Sequence, residues 1–223
     1  LVKWFPVGGG KFTALNKINL AFGKGEFAGL VGPSGSGKTT LLNIIGSLDS
    51  PSEGRAVVMD QSIGELSHRQ AAKLRNKYLG FIFQTYNLLP VYTVYENVEF
   101  PLLLLDIPSE ERHKAVLDAV EWVGLTDKLK SRPGQLSGGE SQRVAIARAM
   151  VKKPEVVLAD EPTANLDAAN SHHILQTMEN LNKELKTTFI FATHDDKVIQ
   201  YLRRKISLED GKVVNDERSG NGK

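Results

Sequence analysis

The chain contains no cysteine. Disulfides and thiolate metal sites are therefore excluded, and a reducing compartment suits the protein. It also lacks an excess of either charge: 28 Lys and Arg stand against 26 Asp and Glu, a formal net charge of +2. That balance gives no global electrostatic case for nucleic-acid binding. The local clusters Lys128, Lys130, Arg132 and Arg203, Arg204, Lys205 read as solvated faces. No run reaches the roughly eighteen apolar residues of a membrane-spanning helix; Pro101 to Leu105 is short and ends at Asp106. The charged, apolar and small-residue regions of a secretory signal are missing as well, and the opening at Leu1 instead of Met leaves room for a few leading residues. His68, His113, His172 and His173 have no metal-ligand spacing and read as surface residues. There is no internal repeat and no low-complexity segment.

What is present is an ordinary globular composition, 41% hydrophobic and 24% charged over 223 residues. That suffices for one large α/β domain or a core with a smaller subdomain. The most informative stretch is Gly32-Pro33-Ser34-Gly35-Ser36-Gly37-Lys38-Thr39, followed by Thr40. It fits G-x-x-x-x-G-K-[ST] between an apolar strand pattern, Phe27 to Val31, and a helical pattern, Lys38 to Leu48. Glycines let successive backbone N–H groups curl around an anion, and the helix adds the positive end of its dipole. Lys38 can then reach the outer phosphates and the Thr39 hydroxyl can ligate Mg²⁺.

The pattern predicts an N-terminal hairpin, with strands over Val2 to Phe5 and Phe12 to Phe22 about a turn at Gly8-Gly9-Gly10. Phe5, or else Trp4, could stack on a flat base or merely pack in the sheet. A short strand is expected at Arg55 to Met59, a helix capped by Ser67, and a strand over Tyr78 to Phe83 ending at Gln84. Beyond Gln84 the texture turns helical, with Val94 to Leu105 interrupted by Pro101, then Ser109 to Val123, then Ser137 to Met150. These patterns predict a helical subdomain over residues 85–153, inserted into an α/β core formed by residues 1–84 and 154–215. The polar tail at 216–223 is expected to be disordered.

Val156-Val157-Leu158-Ala159 runs into Asp160 and Glu161. This is the pattern of a buried strand that delivers carboxylates to its C-terminal edge. Asp160 can hold Mg²⁺, and Glu161 is suited to accept a proton from an attacking water. Gln84 and His194, at two further strand ends, read either as a turn residue and a helix cap or as parts of the same site. Leu136-Ser137-Gly138-Gly139-Glu140 is a second anion-binding helix start. Either the protein binds two phosphates, or two chains share one nucleotide.

Taken together, Gly32 to Thr39, Gln84, Leu136 to Glu140, Asp160-Glu161, Ala164-Asn165-Leu166-Asp167 and His194 resemble the nucleotide-binding subunits of ABC transporters over nearly the whole chain. Leu158 to Asp167 and Arg203 to Lys212 are similar to the branch of MacB-, LolD- and FtsE-like ATPases. The resemblance implies a P-loop, RecA-like α/β core with an N-terminal antiparallel β subdomain and an inserted helical subdomain. It also implies ATP and Mg²⁺ as ligands, and a head-to-tail homodimer with two ATP molecules. Each ATP would lie between the P-loop of one subunit and Ser137, Gly138, Gly139 and Glu140 of the other.

By the same resemblance, Thr39, Gln84 and Asp160 serve Mg²⁺, Glu161 is the general base and His194 contacts the γ-phosphate. Asp167 joins the two sites, and Phe5 stacks on adenine. A transmembrane permease would dock near Gln84 to Tyr95, at the cytoplasmic face of the inner membrane. Alternatives are an FtsE-like subunit that signals to a cell-wall enzyme, or a soluble ABC ATPase. A guanine reader Asn-Lys-x-Asp is absent, because Asn16-Lys17-Ile18-Asn19 ends in the wrong residue.

Overall fold

In a computed structural model, which describes residues 1–218, the chain opens with a hairpin of β1 (Lys3–Val7) and β2 (Gly10–Leu15). The central strand β3 (Phe27–Val31) leads into α1 (Lys38–Ile45). A small ribbon follows, β4 (Val57–Val58) with β5 (Gln61–Ser62), then α2 (His68–Tyr78) and β6 (Leu79–Ile82). Next come α3 (Val94–Glu99), α4 (Ser109–Trp122) and α5 (Gly138–Met150), with no strand between β6 and β7. The chain closes with β7 (Val156–Asp160), α6 (Ala168–Leu185), β8 (Thr188–Thr193), α7 (Asp196–Ile199), β9 (Arg204–Glu209) and β10 (Lys212–Arg218).

Helix starts follow local chemistry. Ser67, Thr93 and Ser137 each accept a bond from the third helical residue's N–H, while Gln70, Glu96 and Glu140 reach back to the cap. Such reciprocal capping satisfies two otherwise orphaned donors. Pro101 ends α3 as expected, and a 3₁₀ segment takes over at Phe100–Leu104.

The six-stranded sheet has the order β10-β9-β3-β8-β7-β6, parallel except for β10. A parallel sheet must be covered on both faces. On one face Phe27, Phe189 and Phe191 pack with buried residues of α3 to α6, with Phe27 and Phe191 centroids 4.7 Å apart. On the other, Leu30, Leu158, Ile190 and Ile206 meet Leu41 and Ile44 of α1 and Leu15 of β2. The order places the C-terminal ends of β3, β8, β7 and β6 side by side, so the P-loop, His194, Asp160-Glu161 and the Gln84 loop emerge along one edge. Ligands bind at this edge in open α/β sheets.

Three expectations need correction. The second strand ends at Leu15, well short of Phe22. There Asn16 N–H turns to the Gly211 carbonyl, Lys17 takes a positive φ, and Ile18 exchanges backbone bonds with Leu1. The tail expected from Asp216 begins instead as strand: Asp216, Glu217 and Arg218 pair with Ile206, Lys205 and Arg204. Residues 219–223 of that tail lie outside the described residues. Arg204 is not solvated; it is 7% exposed, with a bidentate bond to Asp216 at 2.7 and 2.8 Å and a third bond to Glu26.

Candidate functional site

The P-loop wraps from the end of β3 to the start of α1. Gly37 is required there for two reasons: its φ is +99°, and a Cβ would stand 2.7 Å from the Ala14 carbonyl oxygen. Pro33, Ser34 and Gly35 are exposed, Gly32 and Thr40 are half-buried, and Ser36 is buried with its Oγ unpartnered. Lys38 folds back over the loop, and its Nζ donates to the Gly32 and Pro33 carbonyls at 2.7 and 2.9 Å.

Thr39 Oγ1 donates to the Asp160 carboxylate, 3.2 Å from both oxygens. The β3-β8-β7 order brings these two together across 121 positions of sequence. Burial raises the Asp160 pKa above the usual carboxylate range, the Thr39 bond opposes that shift, and the neighbouring Glu161 charge adds to it.

Glu161 has φ +45°, the left-handed region that a branched or long side chain seldom occupies. Its backbone N–H donates to Ala192 O, which fixes the turn out of β7. The carboxylate is held on both oxygens: His194 Nδ1 lies 2.6 Å from Oε1, and Thr193 Oγ1 donates to Oε2 at 3.1 Å. Strain of this kind, roughly 1–3 kcal/mol, persists only where surrounding contacts hold it.

Gln84 is exposed, and its carbonyl accepts from Asn165 Nδ2 at 2.9 Å. The hydrogen bonds thus join Thr39 to Asp160, whereas Gln84 is tied to the segment before α6. Ser137 caps α5, and Gly139 is fully packed: a Cβ there would stand 2.5 Å from Asn170 Oδ1. Asn170 in turn is bound through both its backbone N–H and Nδ2 to Asp167, the N-cap of α6. The Ser137 to Glu140 segment therefore packs on α6, with Tyr86, Asn165 and Leu166 also beside Gly138. Phe5 sits opposite Phe12 in the first hairpin, 38% exposed, with Lys3 Nζ 4.9 Å from its ring centroid.

Sequence reasoning missed three residues that hold this arrangement. Thr193 carries only a hydroxyl group beside a motif position, a signal too common to single out. Gln142 is fully buried, and its Nε2 donates to Pro162 O at 2.6 Å, directly after Glu161. Arg148 donates to Tyr86 O and Asn87 O in the loop after Gln84. Neither residue has a sequence marker beyond lying on α5.

A glycine-rich loop at a helix start, a hydroxyl–carboxylate pair beside it and a second carboxylate held in a strained turn define a P-loop nucleoside triphosphatase. Comparison with known proteins narrows the class. A profile of the ABC transporter family matches residues 15–164. The chain is 44% identical over 214 residues to the lipoprotein-releasing system ATP-binding protein LolD of Pseudoalteromonas translucida, covering 96% of this chain and 92% of that one. It is 42% identical over 221 residues to the macrolide export ATP-binding/permease protein MacB of Hyphomonas neptunium, covering 99% of this chain but 34% of that longer protein. The ATP-binding cassette MJ0796, solved as a dimer in a post-hydrolysis state with ADP and Pi, matches with TM-score 0.89 and 40% identity over 97% of this chain and 95% of its own. The chain belongs to the ABC transporter family, and it is an ATP hydrolase of that family.

Proposed function

We propose that this chain is an ATP-driven clamp that dimerises head to tail on ATP and powers a membrane permease of the MacB or LolD type, at the cytoplasmic face of the membrane. The observation that carries the chemistry is the double hold on Glu161 by His194 and Thr193. It fixes a carboxylate at the strand edge where the P-loop also opens, as a general base for water requires.

The residues suit the ligands. Ser36 Oγ is a buried polar atom in want of a partner, and Gly35 leaves open space where a Cβ would stand. The loop amides from Gly32 to Thr40 would cradle the phosphates. Lys38 would exchange its two carbonyl partners for phosphate oxygens, a trade of neutral acceptors for charged ones. The Thr39 hydroxyl and the Asp160 carboxylate are hard oxygen donors suited to Mg²⁺, which takes few protein ligands and fills its shell with phosphate and water. When bound, Mg²⁺ neutralises charge on the outer phosphates. Gln84 would reach the same ion and link it to the permease, and Phe5 would stack on the adenine.

Hydrolysis follows from these placements. Glu161 would take a proton from a water whose oxygen attacks the γ-phosphorus as the β–γ anhydride bond breaks and ADP leaves, while the His194 ring would donate to a γ-phosphate oxygen. Ser137, Gly138, Gly139 and Glu140 of a second copy would close over the same phosphate, with Asp167 linking the paired sites. One isologous surface then builds both sites. Loss of the γ-phosphate would remove the bridge and open the clamp. A groove of about 320 Å³, lined by Phe83, Leu89, Phe100, Leu104 and Arg148, borders the loop after Gln84 and suits a permease's cytoplasmic helix.

The test uses Glu161→Gln. It is expected to retain ATP binding, lose hydrolysis and accumulate a dimer with Mg-ATP by light scattering; a monomer under those conditions overturns the clamp. Recovered from native membranes in mild detergent, the same variant is expected to bring a stoichiometric transmembrane subunit. Ribosomal or DNA-bound partners in its place would overturn the transport role.

A further inference from the structure

The start of α5 carries a charge of the wrong sign for its task. Glu140 is the third residue of the helix, and its Oε2 accepts the Ser137 N–H at 2.7 Å to close the capping box. A neutral amide oxygen would accept that bond equally well, so the cap does not need the charge. The bonds from Ser137 hold the Glu140 carboxyl below its usual range, and Lys128 lowers it further. The group is therefore ionised at neutral pH, which places a full negative charge in the first turn. It offsets the half-charge of the helix dipole that an incoming anion would meet. Asp167 adds a second acid on the other side, bound to the Asn170 amide that packs on Gly139.

One cation answers this. Lys128, in the short 3₁₀ turn Thr126–Lys128, brings its Nζ to 3.5 Å from Glu140 Oε1, the oxygen that the cap leaves free. Of the ion pairs among the described residues, it is the only one that reaches the Ser137 to Glu140 segment.

We propose that Lys128 is a charge-compensating residue for ATP capture: it neutralises Glu140, so that the start of α5 can accept the γ-phosphate presented by a second copy. The inference rests on the reading that Ser137 to Glu140 face the partner's nucleotide. A half-exposed ion pair contributes little to fold stability. Its effect on a highly charged phosphate closing over the same turn is larger, because closure excludes the water that would screen it.

The experiment is a charge-rescue cycle in the Glu161→Gln background, reading the Mg-ATP concentration for half-maximal dimerisation by light scattering. Lys128→Ala is expected to raise that concentration about tenfold, the factor that 1.4 kcal/mol makes. Lys128→Arg is expected to stay within about twofold of the parent. Lys128→Ala combined with Glu140→Gln is expected to return to the parent value, since removing the acid removes the need for the cation. A purely structural bridge predicts the opposite, because the double variant has no bridge either. The inference is overturned if Lys128→Ala dimerises like the parent, or if the double variant stays as impaired as Lys128→Ala. Failure of the Glu161→Gln parent itself to dimerise would instead strike the clamp reading on which the inference rests.

Discussion

Arg148 and Tyr86 are joined by a guanidinium–carbonyl bond of 2.6 Å, and the adjacent nitrogen of the same fork donates to Asn87 O at 2.5 Å. Both acceptors belong to residues with positive φ, +60° and +49°, so the loop after Gln84 is strained and its carbonyls face inward. Charge-assisted bonds contribute about 1.5–3 kcal/mol each, and for the pair made by Arg148 part of that is offset by the cost of burying the guanidinium, which lowers its pKa. Arg148→Met is expected to cost roughly 2–3 kcal/mol and to lower Tm by roughly 5–10 °C in a thermal melt. Arg148→Lys should recover only part of the loss, because an ammonium cannot span both carbonyls as the planar fork does.

Asp160 is ionised at a cost to the fold. Its folded-state pKa is raised, chiefly by burial. The folded chain therefore holds the proton more tightly than the unfolded chain, and raising the pH through the carboxylate range ionises a group the fold disfavours. Asp160→Asn is expected to raise the Tm of the nucleotide-free protein at pH 7 by roughly 1–3 °C. The same variant is expected to lose ATP hydrolysis. A Tm below that of the unmodified protein would show that the carboxylate is held favourably before any ligand arrives.

The acid side of the stability profile should depend on Asp216. Its bonds to Arg204 depress its folded-state pKa, while those bonds raise the Arg204 pKa. For a depressed carboxylate the sign is reversed: the stabilisation is present above the unfolded pKa and fades as pH falls through the folded one. Asp216→Asn is expected to flatten the decline of Tm between about pH 5 and pH 3, measured by thermal melts across that window. At pH 7 it should be less stable than the parent, since Arg204 would keep only Glu26 and the Ala21 carbonyl.

Gly139 is expected to tolerate no side chain. A Cβ would stand 2.5 Å from Asn170 Oδ1 and 2.8 Å from its Cγ, and the Asn170 side chain cannot swing away without breaking its Nδ2 bond to Asp167. Gly139→Ala should shift the start of α6 and lower the Tm by roughly 2–6 °C. Hydrogen exchange that remained unchanged at Ser171 and Ile174 would show that the packing yields elsewhere.

The motifs legible in the chain were those whose chemistry is local. Gly32 to Thr39 reads as an anion cradle, Leu136 to Glu140 as a second anion-binding helix start, and the apolar run before Asp160 announces a buried strand. Strand and helix types were legible for the same reason, since periodicity and caps act over a few residues. Tertiary structure decided what long-range pairing controls. The order β3-β8-β7 brought Thr39 to Asp160 and His194 to Glu161, and no spacing in the sequence encodes which strands become neighbours. The same holds for β2, which ends at Leu15 because the chain beyond it turns to Gly211 and Leu1. It holds too for Arg204, whose neighbours in sequence suggest a solvated patch but whose burial against Glu26 and Asp216 arises from strand pairing. Composition and local pattern determined which groups could do the chemistry; the packing of one sheet edge decided which of them meet, because contact between distant residues depends on the whole chain's burial of its apolar faces.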